Sequence, residues 1–317
     1  ICHTKFYEGD ESMNSKWTYS DINNMALAPQ EFVDSCAERY RSRVKEAAEI
    51  VFNDIDKKIV MLAGPSSSGK TTTASLISAQ IERMGGRAYS VSLDDFYRSH
   101  DEPYPLNDKG EPDYESVEAL DIPLLRRCLG ELATQSESDL PVFDFASGVK
   151  RDGAKHIALD DNDIIVIEGL HALNPIITDE LPEDSLYKIY VSVSSRVYED
   201  DGSVLLSKRE LRFIRRTVRD HLFRSMPVER TFGIWSGVKR GEDRFLFPFE
   251  EQADVRIDSF HPCEPCLMAQ TACELFSAAQ APEFREKAAL LINKLKLFKN
   301  IDTSLLPSDS LLREFTG

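Results

Sequence analysis

The sequence predicts an α/β fold of three layers, α/β/α, built on a mostly parallel sheet and extended by helices at both ends. Short β-branched apolar runs alternate with longer segments of helical spacing, which implies parallel strands covered on both faces. One of those runs passes straight into a glycine-rich loop and then a helix. The chain has 317 residues, 42% hydrophobic and 29% charged, enough to bury one large core with appendages.

In chain order, residues 30–52 place Phe32, Cys36, Tyr40, Val44, Ala47 and Val51 at steps of three and four behind Pro29, the pattern of an amphipathic helix. Residues 58–63 (KIVMLA) read as a strand buried on both faces. Helical spacing over 70–84 stops at Gly85-Gly86. Strands are predicted at 88–93, ending in Asp94-Asp95, at 163–169 with Glu168 near its end, at 186–193 and at 253–258. Residues 98–116 and 141–153 interrupt the alternation as a loop and as a hairpin or loop; both leave the C-terminal ends of strands, where open α/β sheets bind ligands. Helices at 264–279 and 283–299 lead into a tail containing Pro307. These boundaries divide the chain into an N-terminal extension (1–56), a central domain (57–262) and a C-terminal helical extension (263–317). The first dozen residues lack periodicity and read as a flexible end, an expression remnant or the stub of a longer protein.

Lys and Arg number 38 against 54 Asp and Glu, so 38 − 54 gives a net charge of −16. Such a chain repels nucleic acid and anionic lipid, and no window has the apolar length of a membrane helix. Partners are therefore expected to be small molecules and, at most, further copies of the chain, in the cytoplasm. Six cysteines are too sparse for a disulfide framework. Cys263 and Cys266 form a single CxxC, with His261 nearby; a zinc site needs a second ligand pair, so buried thiols are expected.

Gly64, Gly69, Lys70 and Thr71 satisfy Gly-x-x-x-x-Gly-Lys-[Ser/Thr] between a strand and a helix, the context that makes this motif a phosphate-binding loop. The fold class is therefore that of a P-loop NTPase. Glycine permits the tight turn, the helix N-terminus favours an anion, Lys70 reaches the terminal phosphates and the Thr71 hydroxyl binds Mg²⁺. The expected ATP contacts are Gly64, Ser66, Ser67, Ser68, Gly69, Lys70, Thr71 and Thr72. The absence of Asn-Lys-x-Asp, Leu-Ser-Gly-Gly, His-Arg-Asp and Asp-Phe-Gly argues against GTPases, ABC-type ATPases and protein kinases, leaving small-molecule kinases. Asp94 and Glu168 are candidates for the magnesium shell, and Asp94 also for the general base. Asp95 competes with Asp94 for that role but reads better as a cap or a solvated strand end.

A basic segment at 207–224 steps Arg209, Arg212, Arg216 and Arg219 along one helical face, with Leu211, Ile214, Val218 and Leu222 on the apolar one. It reads as a lid helix, about 207–230, bringing charge to the transferring phosphoryl group. The bland alternative is a solvated amphipathic helix paired with Glu210 and Asp220.

With GPSSSGKTTTA, SLDDFYR, PDYESVEALD, PVFDFASG, IIVIEGLHAL, RFIRRTVRD and ADVRID in place, the sequence from about Lys58 to Asp258 resembles the uridine kinase and phosphoribulokinase family of P-loop kinases. The resemblance implies Lys70 and Thr71 for phosphates and Mg²⁺, Asp94 as base, Glu168 on Mg²⁺, and Arg216 and Arg219 on the phosphates. On the acceptor side it implies Tyr97, Glu115 and Phe143, with Glu115 near ribose hydroxyls. Uridine kinases carry tyrosine where this chain has Phe143, histidine where it has Gly148 and a shorter aspartate where it has Glu115. Uridine and cytidine are thus expected to be poor acceptors, and restoring tyrosine and histidine to improve uridine turnover. In some longer relatives a similar kinase follows a part resembling threonyl-tRNA synthetase regions, and the helix at 30–52 is a candidate for the end of such a part. The leading expectation is an ATP-dependent kinase acting on a nucleoside or sugar hydroxyl; the alternatives are a sugar-phosphate kinase of phosphoribulokinase type and an ATP-controlled binding module.

Overall fold

The structure, a computed structural model, describes residues 16–317; the opening dozen residues and Cys2 lie outside the described residues. The main elements are α1 (Pro29–Asn53), β1 (Ile59–Ala63), α2 (Lys70–Arg83), β2 (Arg87–Ser92), α3 (Ile122–Gln135), β3 (Glu137–Asp144), β4 (Val149–Ala158), β5 (Asp163–Gly169), β6 (Leu186–Ser192), α4 (Lys208–Arg224), α5 (Val228–Phe245), β7 (Val255–Asp258), α6 (Glu264–Ser277), α7 (Pro282–Leu295) and α8 (Arg313–Thr316).

Five strands form one parallel sheet in the order β7-β6-β1-β5-β2. Alternation along β1 feeds two cores. Val60 and Leu62 face the layer of α1, α2, α4 and the C-terminal helices, whereas Ile59, Met61 and Ala63 face α3. This is the three-layer α/β/α arrangement the sequence predicts. Phe32, Tyr40, Val44 and Val51 of α1 share a core with Phe276, Leu291, Leu312 and Phe315, so α1 and the C-terminal helices pack onto the same face of the sheet.

Several local expectations need correction. The basic helix ends at Arg224, where Ser225 takes a left-handed conformation (φ 49°) and Pro227 follows; α5 is a separate helix, not part of a lid running to 230. Leu222 is exposed, so the apolar face of α4 ends at Val218. Helix α3 was not anticipated, although Asp121 caps it by accepting from Leu124 N–H and a proline occupies its first turn. Residues 137–158 form an antiparallel hairpin, longer than the 141–153 stretch. Cys263 and Cys266 are buried thiols, and among the described residues no group of three or more His, Cys, Asp or Glu side chains is placed to hold a metal ion. Among those residues, no helix is long and apolar enough to cross a membrane.

Candidate active site

The loop leaving β1 is shaped by two glycines. A Cβ on Gly64 would overlap the Val191 carbonyl oxygen of the neighbouring β6, so only glycine lets the chain turn there. Gly69 has φ 90° and begins α2, whose N-terminus has no side-chain cap. Ser67, at φ 58°, and Ser68 are buried, and their hydroxyls have no partner among the described residues. Orphaned hydroxyls beside an uncapped helix N-terminus fit an oligophosphate.

Parallel register brings the acids to this loop. Glu168 pairs with Leu62 on one side and Ser92 on the other, and it accepts hydrogen bonds from Ser92 Oγ (3.0 Å) and Thr71 Oγ1 (3.3 Å). Asp94 lies past the end of β2 in a 3-10 turn, Leu93–Phe96, open to the cleft but ringed by protein. The surrounding protein raises both carboxyls above their ordinary range by desolvation, and the nearby Lys70 ammonium opposes the rise. Asp95 instead accepts from Phe143 N–H at 3.3 Å, a structural contact.

The four arginines expected to act together are separated. Arg209 pairs with exposed Asp243. Arg212 is buried against Glu242; its Nε donates to Ser66 O (2.9 Å), and Glu242 accepts from Ser66 N–H (2.9 Å). The pair therefore clasps both backbone polar groups of Ser66. Arg215, fully buried, binds Glu264 (Nε, 3.0 Å), Ser259 O (2.7 Å) and Ser67 O (3.4 Å). Arg216 and Arg219 keep partial exposure, Arg216 at the loop itself. Arg216 donates to Ser66 Oγ (2.7 Å), and both pair with buried Asp220. Sequence reasoning missed Arg215, Glu242 and Glu264, because their partners lie 30 to 49 residues apart in the chain.

On the acceptor side, Tyr97 Oη donates to Tyr114 O (3.0 Å), and its ring lies 5.9 Å from that of Phe143. Phe143, one of the acceptor-side residues implied by the resemblance, is only 6% exposed and packs among Tyr97, His100 and Phe145. Gly148 has φ 69°, and the space beside it is filled by the His100 imidazole. Glu115 packs against Gly241; burial pushes its carboxyl up to about 7, opposed by Arg216 and reinforced by Glu242. A cavity of about 790 Å³ opens from Glu115 and Arg216 towards Arg240 and Arg244 on α5.

Residues 59–264 match the family model described as Phosphoribulokinase / Uridine kinase family. The chain belongs to this family. A uridine kinase from Lactobacillus johnsonii is 29% identical over 198 residues, 62% of this chain and 84% of that protein. One from Staphylococcus aureus is 28% identical over 203 residues, 63% and 86%. The solved D-glycerate 3-kinase from Cryptococcus neoformans covers 70% of this chain and 88% of its own, at 16% identity and a TM-score of 0.42. The kinase-family stretch begins at β1 and ends as α6 starts, so α1 and the C-terminal tail lie outside it.

Proposed function

We propose that this family member transfers the γ-phosphoryl group of ATP to a hydroxyl of a nucleoside-like or sugar-like acceptor. One observation carries the reading: Thr71 Oγ1 donates to Glu168 of β5, and the charges of Lys70 and of Asp94, just past the end of the adjacent β2, act on that same carboxyl. Backbone N–H groups and the Ser67 and Ser68 hydroxyls take the phosphates, with Lys70 at the β/γ end. Thr71, Glu168 and Asp94 would hold Mg²⁺, which supplies charge neutralisation on the phosphate oxygens. Asp94, just past the end of β2, accepts the proton of the attacking hydroxyl. Arg216 and Arg219 add positive charge where negative charge shifts during transfer, and Glu115 and Tyr97 border the acceptor.

A phosphorylated sugar acceptor is favoured by a separate observation: Arg240 and Arg244 line the cavity one helical turn apart and form no ion pair among the described residues. The test is phosphoryl transfer from labelled ATP to a panel of nucleosides, ribose, ribulose 5-phosphate and pantothenate, alongside thermal melts with Mg·ATP. A raised melting temperature and one labelled acceptor are expected. Melting unaffected by Mg·ATP would overturn the reading, and nucleotide binding with no labelled product would favour an ATP-controlled binding module.

A further inference from the structure

The C-terminal tail, beyond the stretch matched to the family, lies against the nucleotide loop. Leu311 fills the space a side chain on Gly69 would need. Phe315 is fully buried, its ring 5.0 Å from the guanidinium of Arg215, the same group that reaches Ser67 O. Arg313 folds the tail back on itself by donating to Leu306 O (2.5 Å) and Pro307 O (2.9 Å). Held between these contacts, Glu314 accepts from Thr72 Oγ1 at 2.6 Å, and its other oxygen lies 3.9 Å from Arg219.

The direction of the loop says which part of a ligand meets Glu314. Thr71 and Thr72 are consecutive in α2, so their side chains diverge by about 100° around the helix axis. The Thr71 hydroxyl goes to Glu168, on the reacting side, and the Thr72 hydroxyl goes to Glu314. Under the nucleotide reading, a triphosphate with its γ end at Lys70 and Glu168 would run back across Thr72, and the unit bonded next to its α-phosphate is the ribose. A carboxylate at that point repels the phosphates. It is compatible with tight binding when it accepts a hydrogen bond from the ligand, and the ribose hydroxyls are the donors within reach of the α-phosphate.

We propose that Glu314 is a specificity-determining residue that accepts from a ribose hydroxyl of the bound nucleotide, so that the C-terminal tail makes the site selective for ribonucleotides over deoxyribonucleotides. This rests on the nucleotide reading above, and its test needs no acceptor. Dissociation constants for ADP, 2′-deoxy-ADP and 3′-deoxy-ADP in Mg²⁺ are measured by calorimetry on the full chain and on Glu314→Ala and Glu314→Gln. The unmutated chain is expected to bind ADP roughly 10- to 100-fold more tightly than at least one deoxy analogue, the range for a hydrogen bond to a charged group. Glu314→Ala brings that ratio to near one and Glu314→Gln shrinks it; melting temperatures verify that both variants are folded. The ratio is the decisive readout, because a general loosening of the site weakens all three ligands together. If Glu314→Ala does not fold, the near-isosteric Gln variant carries the test. A ratio near one in the unmutated chain, or an unchanged ratio in the variants, overturns the proposal. So does equal tightening for all three ligands, which would make Glu314 a competitor for the Thr72 hydroxyl. Failure of the unmutated chain to bind any of them removes the nucleotide reading itself.

Discussion

The imidazole of His100 occupies the space that a side chain on Gly148 would need, and the backbone N–H of His100 donates to Gly148 O at 2.8 Å. Restoring a histidine at 148 therefore does not rebuild the family's pocket: the new side chain meets the His100 ring on a backbone at φ 69°. Gly148→Ala is expected to destabilise the chain, and to do so less in a His100→Ala background. The residual there is the left-handed backbone term of about 1–2 kcal/mol. A double-mutant cycle from denaturant melts checks this; additive effects would show that the two residues do not compete for space.

Asp94 and Asp95 are neighbours with different surroundings. Asp94→Asn is expected to lower kcat by roughly 10²- to 10⁴-fold, the range for losing a general base. Asp95→Asn instead weakens the Phe143 N–H contact, a hydrogen bond of about 1 kcal/mol, with a much smaller effect on rate. Steady-state kinetics beside thermal melts separates the two, and equal rate losses would reverse the assignment.

The arginines of α4 divide in the same way. Arg212→Ala leaves buried Glu242 without its cation and is expected to destabilise the fold by about 3–5 kcal/mol. Arg216→Ala and Arg219→Ala each leave buried Asp220 with two other arginines, so they should cost less stability than Arg212→Ala and lower kcat more than ATP affinity. Unchanged kcat in both would return α4 to a structural role. Loss of turnover in Lys70→Ala, with the fold intact, is the companion control for the phosphate site.

Glu115 gives a pH signature. Its folded carboxyl is raised to about 7 from 4.5, so between those values the folded state holds a proton that the unfolded chain has released. Its contribution to stability is present below about pH 4.5 and is lost as pH rises through 7. Glu115→Gln stays neutral throughout, so its melting temperature relative to the unmutated chain should rise between about pH 4 and about pH 8. A difference that stays flat or falls contradicts the burial of this carboxyl.

What the sequence determined by itself is local. The strand 59–63, the loop from Gly64 to Gly69 and the helix from Lys70 follow from β-branching, from positions only glycine tolerates and from helical periodicity, all within about twenty residues. The same reasoning placed Phe32, Cys36, Tyr40, Val44, Ala47 and Val51 on the buried face of α1, because an apolar side chain is driven inside by its own transfer free energy, whichever neighbour it meets. Glu168 was legible as well, standing near the end of a strand whose apolar run marks it as central.

Polar partners were decided only by the tertiary structure. The periodicity that put Arg212 and Arg216 on one helical face could not show that Arg212 turns inward to Glu242 while Arg216 stays at the loop. Nor could it show that Thr72 meets Glu314, 242 positions away, or that His100 fills the place beside Gly148. A charge or hydrogen-bonding group is stable inside a protein only with a specific complement at a few ångströms. Packing of distant elements supplies that complement, and no local pattern in the chain encodes it.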